Sequence, residues 1–106
     1  ITFEHEDRAL TDSEASGLVK VIATSKGKVL GAHIVGTRAG EMILEYTLAM
    51  QHGLRLPQIS STIHPYPTFA LAGRHAADLY WREKASKTLI RWLQRIFGYS
   101  GRIPER

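Results

Sequence analysis

The sequence has 106 residues, of which 43% are hydrophobic and 23% charged, and this describes one small globular domain rather than two domains or a disordered chain. It contains no cysteine, which excludes disulfides, cysteine-ligated metal centres and a cysteine nucleophile within this chain, and which fits a cytoplasmic protein. The net charge of +4 combines +5 in residues 82–106, where seven Lys/Arg accompany two Asp/Glu, with −1 in residues 1–81, so it does not indicate a nucleic-acid-binding domain.

The first half of the sequence predicts a β-hairpin preceded by a short strand. The sequence begins at Ile1 rather than at methionine, and we interpret it as a piece of a longer protein. Residues 1–9 alternate weakly at first and predict a short strand that runs into a turn or one helical turn. Two β-branched runs, 18–24 and 29–35, are separated by a loop in which Gly27 supplies the positive φ that a tight hairpin needs. Gly31 inside the second run indicates close approach by another element.

A helix is predicted over residues 38–52, with Thr37 as its N-cap and Gly53 as the residue that ends it. Glu41, Glu45 and His52 form a polar stripe on this helix. Most of the remaining circumference is apolar, which is more than one packed face requires. We therefore expect the helix to bury a second side.

The second half of the sequence predicts three more helical segments. Residues 56–61 predict a short helical turn opened by proline, and residues 63–68 are excluded from helix by two prolines. Helices are predicted over residues 69–81 and 84–97.

Four of these elements together resemble a known family. They are the strand at 17–21, the run Lys28-Val29-Leu30-Gly31-Ala32-His33-Ile34-Val35-Gly36, the run Ala39-Gly40-Glu41-Met42-Ile43, and the proline-rich segment 64–68. In order and spacing they resemble the C-terminal dimerisation domain of the pyridine nucleotide–disulfide oxidoreductases, which include dihydrolipoamide dehydrogenase and mercuric reductase.

The resemblance implies an α+β fold, with a small antiparallel sheet packed against helices and its first strand missing before Ile1. It implies a dimerisation domain at residues 1–81, followed by a basic amphipathic helix and tail at residues 82–106. The parent protein would be a homodimeric enzyme that uses FAD and NAD(P)H, whereas the isolated chain should bind neither and catalyse nothing. Dimer contacts are expected from the second side of the 38–52 helix and from the prolines: Met42, Ile43, Tyr46, Met50, Pro65 and Pro67.

The family's catalytic element is a His-Pro-Thr segment with a Glu five residues after the His. This sequence has Tyr66-Pro67-Thr68 there and Leu71 at the Glu position. Tyrosine, with an ordinary pKa of about 10, does not suit the proton transfer of dithiol exchange. Tyr66 instead resembles mercuric reductases, although their C-terminal cysteine pair is absent. The resemblance implies that Tyr66 lies near the partner's flavin, on the surface, with a cis Tyr66–Pro67 bond and a trans His64–Pro65 bond.

Several alternatives remain open from the sequence. His64 could share one face with Tyr66 and act as a substitute acid or base, or it could only satisfy a hydrogen bond within its loop. The other four histidines lack metal-ligand spacing, and no metal site is predicted: His5, His33, His52 and His75.

The basic helix offers a second set of alternatives. Helical spacing places its cations on one side, Lys84, Lys87, Arg91 and Arg95, and its apolar residues on the other, Leu89, Trp92, Leu93, Ile96 and Phe97. It could pack on its own domain or on a second copy, or it could make a peripheral membrane contact through residues 84–97. A self-contained binding or membrane-interaction module is therefore the alternative function, and nucleic acid is not an expected partner.

Overall fold

The structure is a computed structural model that describes residues 1–84 and 87–98, with residues 87–91 described only in their backbone. It confirms the α+β class: a two-stranded sheet is combined with helices. A 3₁₀ turn at Phe3–His5 comes first. The elements that follow are α1 (Asp7–Thr11), β1 (Leu18–Ala23), β2 (Val29–Val35), α2 (Ala39–Gln51), α3 (Leu56–Ser61), α4 (Ala70–Lys84) and α5 (Lys87–Phe97).

The predicted hairpin is confirmed. Strands β1 and β2 pair antiparallel, with Leu18 opposite Val35, and Gly27 in the connecting loop has a φ of +81°. The close approach predicted at Gly31 is wrong for the part of the chain that the structure describes, where no atom of another element lies within 4 Å of the position that a Cβ would occupy. Gly31 instead pairs with Ile22 beside a bulge in the ladder, and this is another position where strands use glycine.

The N-terminal segment pairs with the sheet around Thr2. The predicted short strand is a single bridge between Thr2 and Leu18, flanked by backbone hydrogen bonds of Ile1 with Val19 and of Phe3 with Gly17. The chain then coils into the 3₁₀ turn and α1, where the sequence predicted a turn or one helical turn. The Phe3 ring is fully buried under Gly17, where a Cβ would come within 2.6 Å of it. Close packing of this ring against backbone therefore holds the segment on the sheet.

Helix α2 ends as predicted and begins differently. Gly53 has a φ of +65° and follows the last turn, which confirms its role as the terminating residue. The N-cap position is occupied by Arg38, with a φ of 63°, so the prediction of Thr37 as N-cap is wrong. The Thr37 hydroxyl is engaged elsewhere, because it donates to Glu14 Oε2 at 2.9 Å.

The core lies between the inner face of the sheet, one face of α2, and helices α3 and α4. Of the six expected dimer contacts, Tyr46 and Met42 are buried in this core, so their side chains are not available to a second copy. Ile43 is half-buried, and Met50, Pro65 and Pro67 are exposed. The dimer face predicted from the sequence is thus corrected at two positions, because α2 turns Met42 and Tyr46 inwards.

The C-terminal part of the chain forms the two predicted helices. Helix α4 continues beyond residue 81 to Lys84, and α5 follows after two residues. The side chains of Lys87, Leu89 and Arg91, named in the amphipathic pattern, lie outside the described residues, as does the tail from residue 99.

Candidate functional site

The segment between α3 and α4 carries the predicted site residues. Its prolines prevent helix from continuing between Ser61 and Ala70, so the chain crosses the surface in an extended form. The Tyr66–Pro67 peptide bond is cis and the His64–Pro65 bond is trans, as predicted. The Thr68 hydroxyl donates to the Pro65 carbonyl oxygen at 2.8 Å and closes the segment on itself before α4 begins.

His64 points into the protein, and its side chain is only 6% exposed. Its Nδ1 lies 2.9 Å from the carbonyl oxygen of Thr62, and its Nε2 lies 2.9 Å from Glu45 Oε1 on α2. Both neighbours are acceptors, so each contact is a hydrogen bond when the ring nitrogen that faces it carries a proton. With both nitrogens engaged, His64 anchors the segment to α2.

Tyr66 points the other way, and 71% of the residue is exposed. Its hydroxyl donates a hydrogen bond to Asp7 Oδ2, in the first turn of α1, at 2.7 Å. That hydrogen bond, together with the negative charge of Asp7, raises the pKa of Tyr66 above its usual value. The side chain is therefore a neutral phenol at pH 7, held in one orientation on the surface of its own domain, as predicted.

The structure does not bring the two predicted site residues onto one face. His64 is buried and Tyr66 is exposed, which corrects the expectation that alternating geometry could place them together. Leu71, at the position expected for an orienting Glu, packs in the core beside Ala72. The residues that actually orient the segment are two carboxylates from elsewhere in the chain, Asp7 and Glu45.

Sequence reasoning found only part of this arrangement. Glu45 belongs to the polar stripe predicted on its helix. A carboxylate in such a stripe can pair with a histidine from a nearby loop. Asp7 gave no signal, because 59 residues separate it from Tyr66. Both contacts depend on tertiary packing rather than on local pattern.

A second histidine–glutamate pair was also missed. His75 on α4 lies with its Nδ1 2.9 Å from Glu6 Oε1 and 3.1 Å from Glu6 Oε2, and Glu6 is buried. The sequence indicated for His75 only that it lacks metal-ligand spacing. The pair fastens the N-terminal segment to α4 just before Asp7, the residue that holds Tyr66.

Helix α2 and helix α4 meet at a third polar contact. The hydroxyl of buried Tyr46 donates to the carbonyl oxygen of Gly73 at 2.6 Å. Burial, and to a lesser degree the charges of Glu45 and Asp78, raise the pKa of Tyr46 far above its usual value. This contact holds α2 against α4 next to Glu45, the residue that pairs with His64.

Comparison with known proteins identifies what the arrangement is similar to. Residues 1–77 match the family described as the pyridine nucleotide-disulphide oxidoreductase dimerisation domain. The chain is 43% identical over 75 residues to a mitochondrial dihydrolipoyl dehydrogenase of Caenorhabditis elegans, covering 70% of this chain and 15% of that protein. It is 46% identical over 77 residues to a dihydrolipoyl dehydrogenase of Haloferax volcanii, covering 72% of this chain and 16% of that protein.

A solved structure shows the same fold. The crystal structure of LpdA from Mycobacterium tuberculosis superimposes with a TM-score of 0.71 at 26% sequence identity, covering 74% of this chain and 17% of that chain. The chain thus spans about a sixth of the length of the proteins it matches.

Proposed function

Because the chain belongs to the dimerisation-domain family of the pyridine nucleotide-disulphide oxidoreductases, we propose that it joins two subunits of an FAD-dependent, NAD(P)H-linked oxidoreductase in the cytoplasm. In this proposal the 64–68 segment of one subunit lies at the flavin site of the other. FAD and the nicotinamide cofactor would be held by other domains of the parent protein, and the isolated chain would not be catalytic.

The apolar surface of the chain supports self-association. Helix α2 buries one face in its own core, yet Leu44 and Leu48 on its other side are 56% and 44% exposed. On the sheet, Leu30 and Val35 are 58% and 62% exposed. A helix and a hairpin that are apolar on two sides need a second partner, and a twofold copy supplies the same surface in return.

The observation that carries the proposed site is the position of the Tyr66 phenol. It is exposed from its own domain, so it can reach a neighbouring subunit, and Asp7 holds its hydroxyl in place. His64 fixes the base of the same segment by pairing with Glu45. The exposed Tyr66 side chain is held at its hydroxyl by Asp7, and its segment is held by His64. Such a side chain is suited to binding a preformed surface, because little conformational entropy is lost on contact.

The chemistry of this segment differs from dithiol exchange. Tyr66 stands where the family has its histidine, and Leu71 stands where it has the orienting glutamate. When bound, FAD supplies the redox chemistry of such an enzyme. The Tyr66 hydroxyl donates its hydrogen bond to Asp7 Oδ2, so what it can offer to the partner site is an oxygen lone pair rather than a second hydrogen-bond donor. We propose a mercuric reductase-like site in this respect, alongside the dihydrolipoyl dehydrogenase-like domain.

The experiment is a Tyr66→Phe substitution in the intact parent enzyme, with Tyr80→Phe as the matched control. Because a nearby tyrosine quenches flavin fluorescence, we expect Tyr66→Phe to change the emission of bound flavin and Tyr80→Phe to leave it unchanged. The difference should disappear when the dimer is dissociated. An unchanged flavin emission and unchanged turnover in Tyr66→Phe would overturn the placement, whatever the oligomeric state.

A further inference from the structure

Helix α5 presents large apolar side chains to solvent. Trp92, Leu93, Ile96 and Phe97 are 59%, 39%, 53% and 75% exposed. They lie at helical spacings of one and four residues, so they share one face of the helix. Packing of α5 on its own domain, which the sequence left open, would have buried these four side chains, and the described residues do not show it.

This apolar face is accompanied by positive charge. Arg95 on α5 is exposed, and positions 87 and 91 precede it at spacings of four residues along the same helix. Lys84, the last residue of α4, is also exposed. Over residues 82–106 the sequence has seven Lys/Arg and two Asp/Glu. The dimerisation-domain match ends at residue 77, before α5 begins, so the shared role of the domain does not account for this surface.

We propose that α5 docks onto the surface of an anionic lipid bilayer, with its axis in the plane of the membrane. Trp92 and Phe97 then lie at the boundary between headgroups and acyl chains, where aromatic side chains concentrate in membrane-bound proteins. The cations face lipid phosphates, whose negative surface potential attracts basic segments. Among the described residues, no helix is both long enough and apolar enough to cross a membrane.

Charge decides between this surface and a second copy of α5. Two such helices packed through their apolar faces would leave both rows of cations without an anionic partner. An anionic bilayer offers apolar depth and opposite charge at once. The bilayer alone can therefore bind both the apolar face and the cations of the helix.

The test uses the whole chain with vesicles of phosphatidylcholine alone or mixed equally with phosphatidylglycerol. Since the sequence has two tryptophans, Trp81→Phe leaves Trp92 as the single reporter. We expect its emission to shift to the blue, and to be quenched by brominated lipid, only with the anionic vesicles. Added salt should weaken the binding. Equal binding to both vesicle types, or binding to neither, would overturn the proposal.

A pair of variants separates α5 from apolar surface in general. In co-sedimentation we expect Trp92→Ser/Phe97→Ser to lower partitioning into anionic vesicles by roughly tenfold or more. The control Leu10→Ser/Ile63→Ser removes two exposed apolar side chains outside α5 and should bind as the unaltered chain does. Undiminished vesicle binding by the α5 variant contradicts the proposal. A second result would also contradict it: the unaltered chain is a dimer by light scattering and does not bind vesicles, and the α5 variant is a monomer. The apolar face of α5 would then be covered by a second copy of the chain.

Discussion

The N-terminal segment and the 64–68 segment are each fastened to the helices by one histidine–glutamate pair, but the burial of the partners is reversed. In the first pair the Glu6 side chain is 5% exposed and His75 is 46% exposed. In the second pair His64 is 6% exposed and Glu45 is 29% exposed. The same two residue types therefore leave a different group inside the protein in the two regions.

The reversal matters because a carboxylate and an imidazole differ in what is left when their partner is removed. An unpartnered buried carboxylate remains a localised charge without compensation, whereas an imidazole has two ring nitrogens and keeps the contact of one when the partner of the other is removed. A buried carboxylate without its partner is therefore the greater liability. We expect the N-terminal segment to depend more strongly on its pair than the 64–68 segment does.

The largest effect is expected from His75→Ala, which leaves the buried Glu6 carboxylate without the imidazole. We predict that the free energy of unfolding at pH 7 falls by about 2–3 kcal/mol. Urea unfolding followed by circular dichroism measures it. The double variant Glu6→Gln/His75→Ala should recover part of the loss, because it removes the unpaired charge. His52→Ala, at an exposed histidine, is the matched control, and equal losses in the two alanine variants would contradict the comparison.

Tyr46→Phe tests the contact that fixes α2 to α4 beneath the 64–68 segment. Loss of the hydrogen bond to Gly73 should lower the free energy of unfolding by about 1–2 kcal/mol at pH 7. Burial raises the pKa of Tyr46, so its stabilising contribution is present below the unfolded pKa of about 10 and is lost as pH rises above it.

The loss of this contribution at alkaline pH predicts how the stability difference between the two chains changes with pH. Between about pH 10 and the folded pKa of Tyr46, the advantage of the unaltered chain over Tyr46→Phe should shrink by up to about 1.4 kcal/mol per pH unit. Urea unfolding at neutral and at alkaline pH measures this difference. Tyr66→Phe, at an exposed tyrosine, is the control that should change little at neutral pH. An advantage that stays constant with pH would show that the Tyr46 hydroxyl is not held as described.

A smaller effect is expected from Glu45→Ala, and its size tests the reversal directly. His64 keeps the Nδ1 contact with the Thr62 carbonyl oxygen when Glu45 is truncated, so we predict a loss of about 1 kcal/mol or less. The same unfolding measurement applies. Glu41→Ala on the same helix, which removes an exposed ion pair with Arg38, is the control and should cost less still. A loss larger than that of His75→Ala would reverse our ranking of the two regions.

The smallest effect on stability is expected at Asp7, where the readout is the phenol itself. Asp7→Ala removes the hydrogen bond and the charge that raise the pKa of Tyr66, so that pKa should fall towards its ordinary value. Asp7→Asn keeps a hydrogen-bond acceptor, so the pKa of Tyr66 in this variant should lie between its values in the unaltered chain and in Asp7→Ala. Absorbance titration near 295 nm, with Tyr66→Phe subtracted, follows this one phenol among four tyrosines. Identical titrations in all three chains would rule out the contact in solution.

The sequence predicted those parts of the molecule that depend on local pattern. The hairpin, the end of α2 at Gly53 and the helices on either side of residue 85 follow from β-branched runs, a positive φ and helical spacing. The family likeness reached further, to the fold class and to the position of Tyr66. The burial of Met42 and Tyr46 was missed, because an apolar helix does not reveal which of its faces its own sheet will cover.

The polar tethers were beyond sequence reasoning for a physical reason. His64 and Tyr66 are two residues apart, yet each is oriented by a carboxylate from a different helix. Thr37 likewise follows the N-cap preference in sequence, but Glu14 competes for its hydroxyl once the chain has folded. Such pairings are selected by tertiary packing, so no window of sequence contains both partners.

The N-terminal segment contacts residues that are distant from it in the sequence, and this affects the order of folding. Glu6 meets His75 across 69 residues, and Asp7 meets Tyr66 across 59. Contacts this distant carry a large loop-closure entropy, while the hairpin and α2 can form from neighbours. We therefore expect the hairpin and α2 to become protected from hydrogen exchange early in refolding, and the N-terminal turn to dock late. Tyr66 would acquire its fixed orientation only in that last step, so the surface that we propose for subunit contact is complete only once nearly the whole domain has folded.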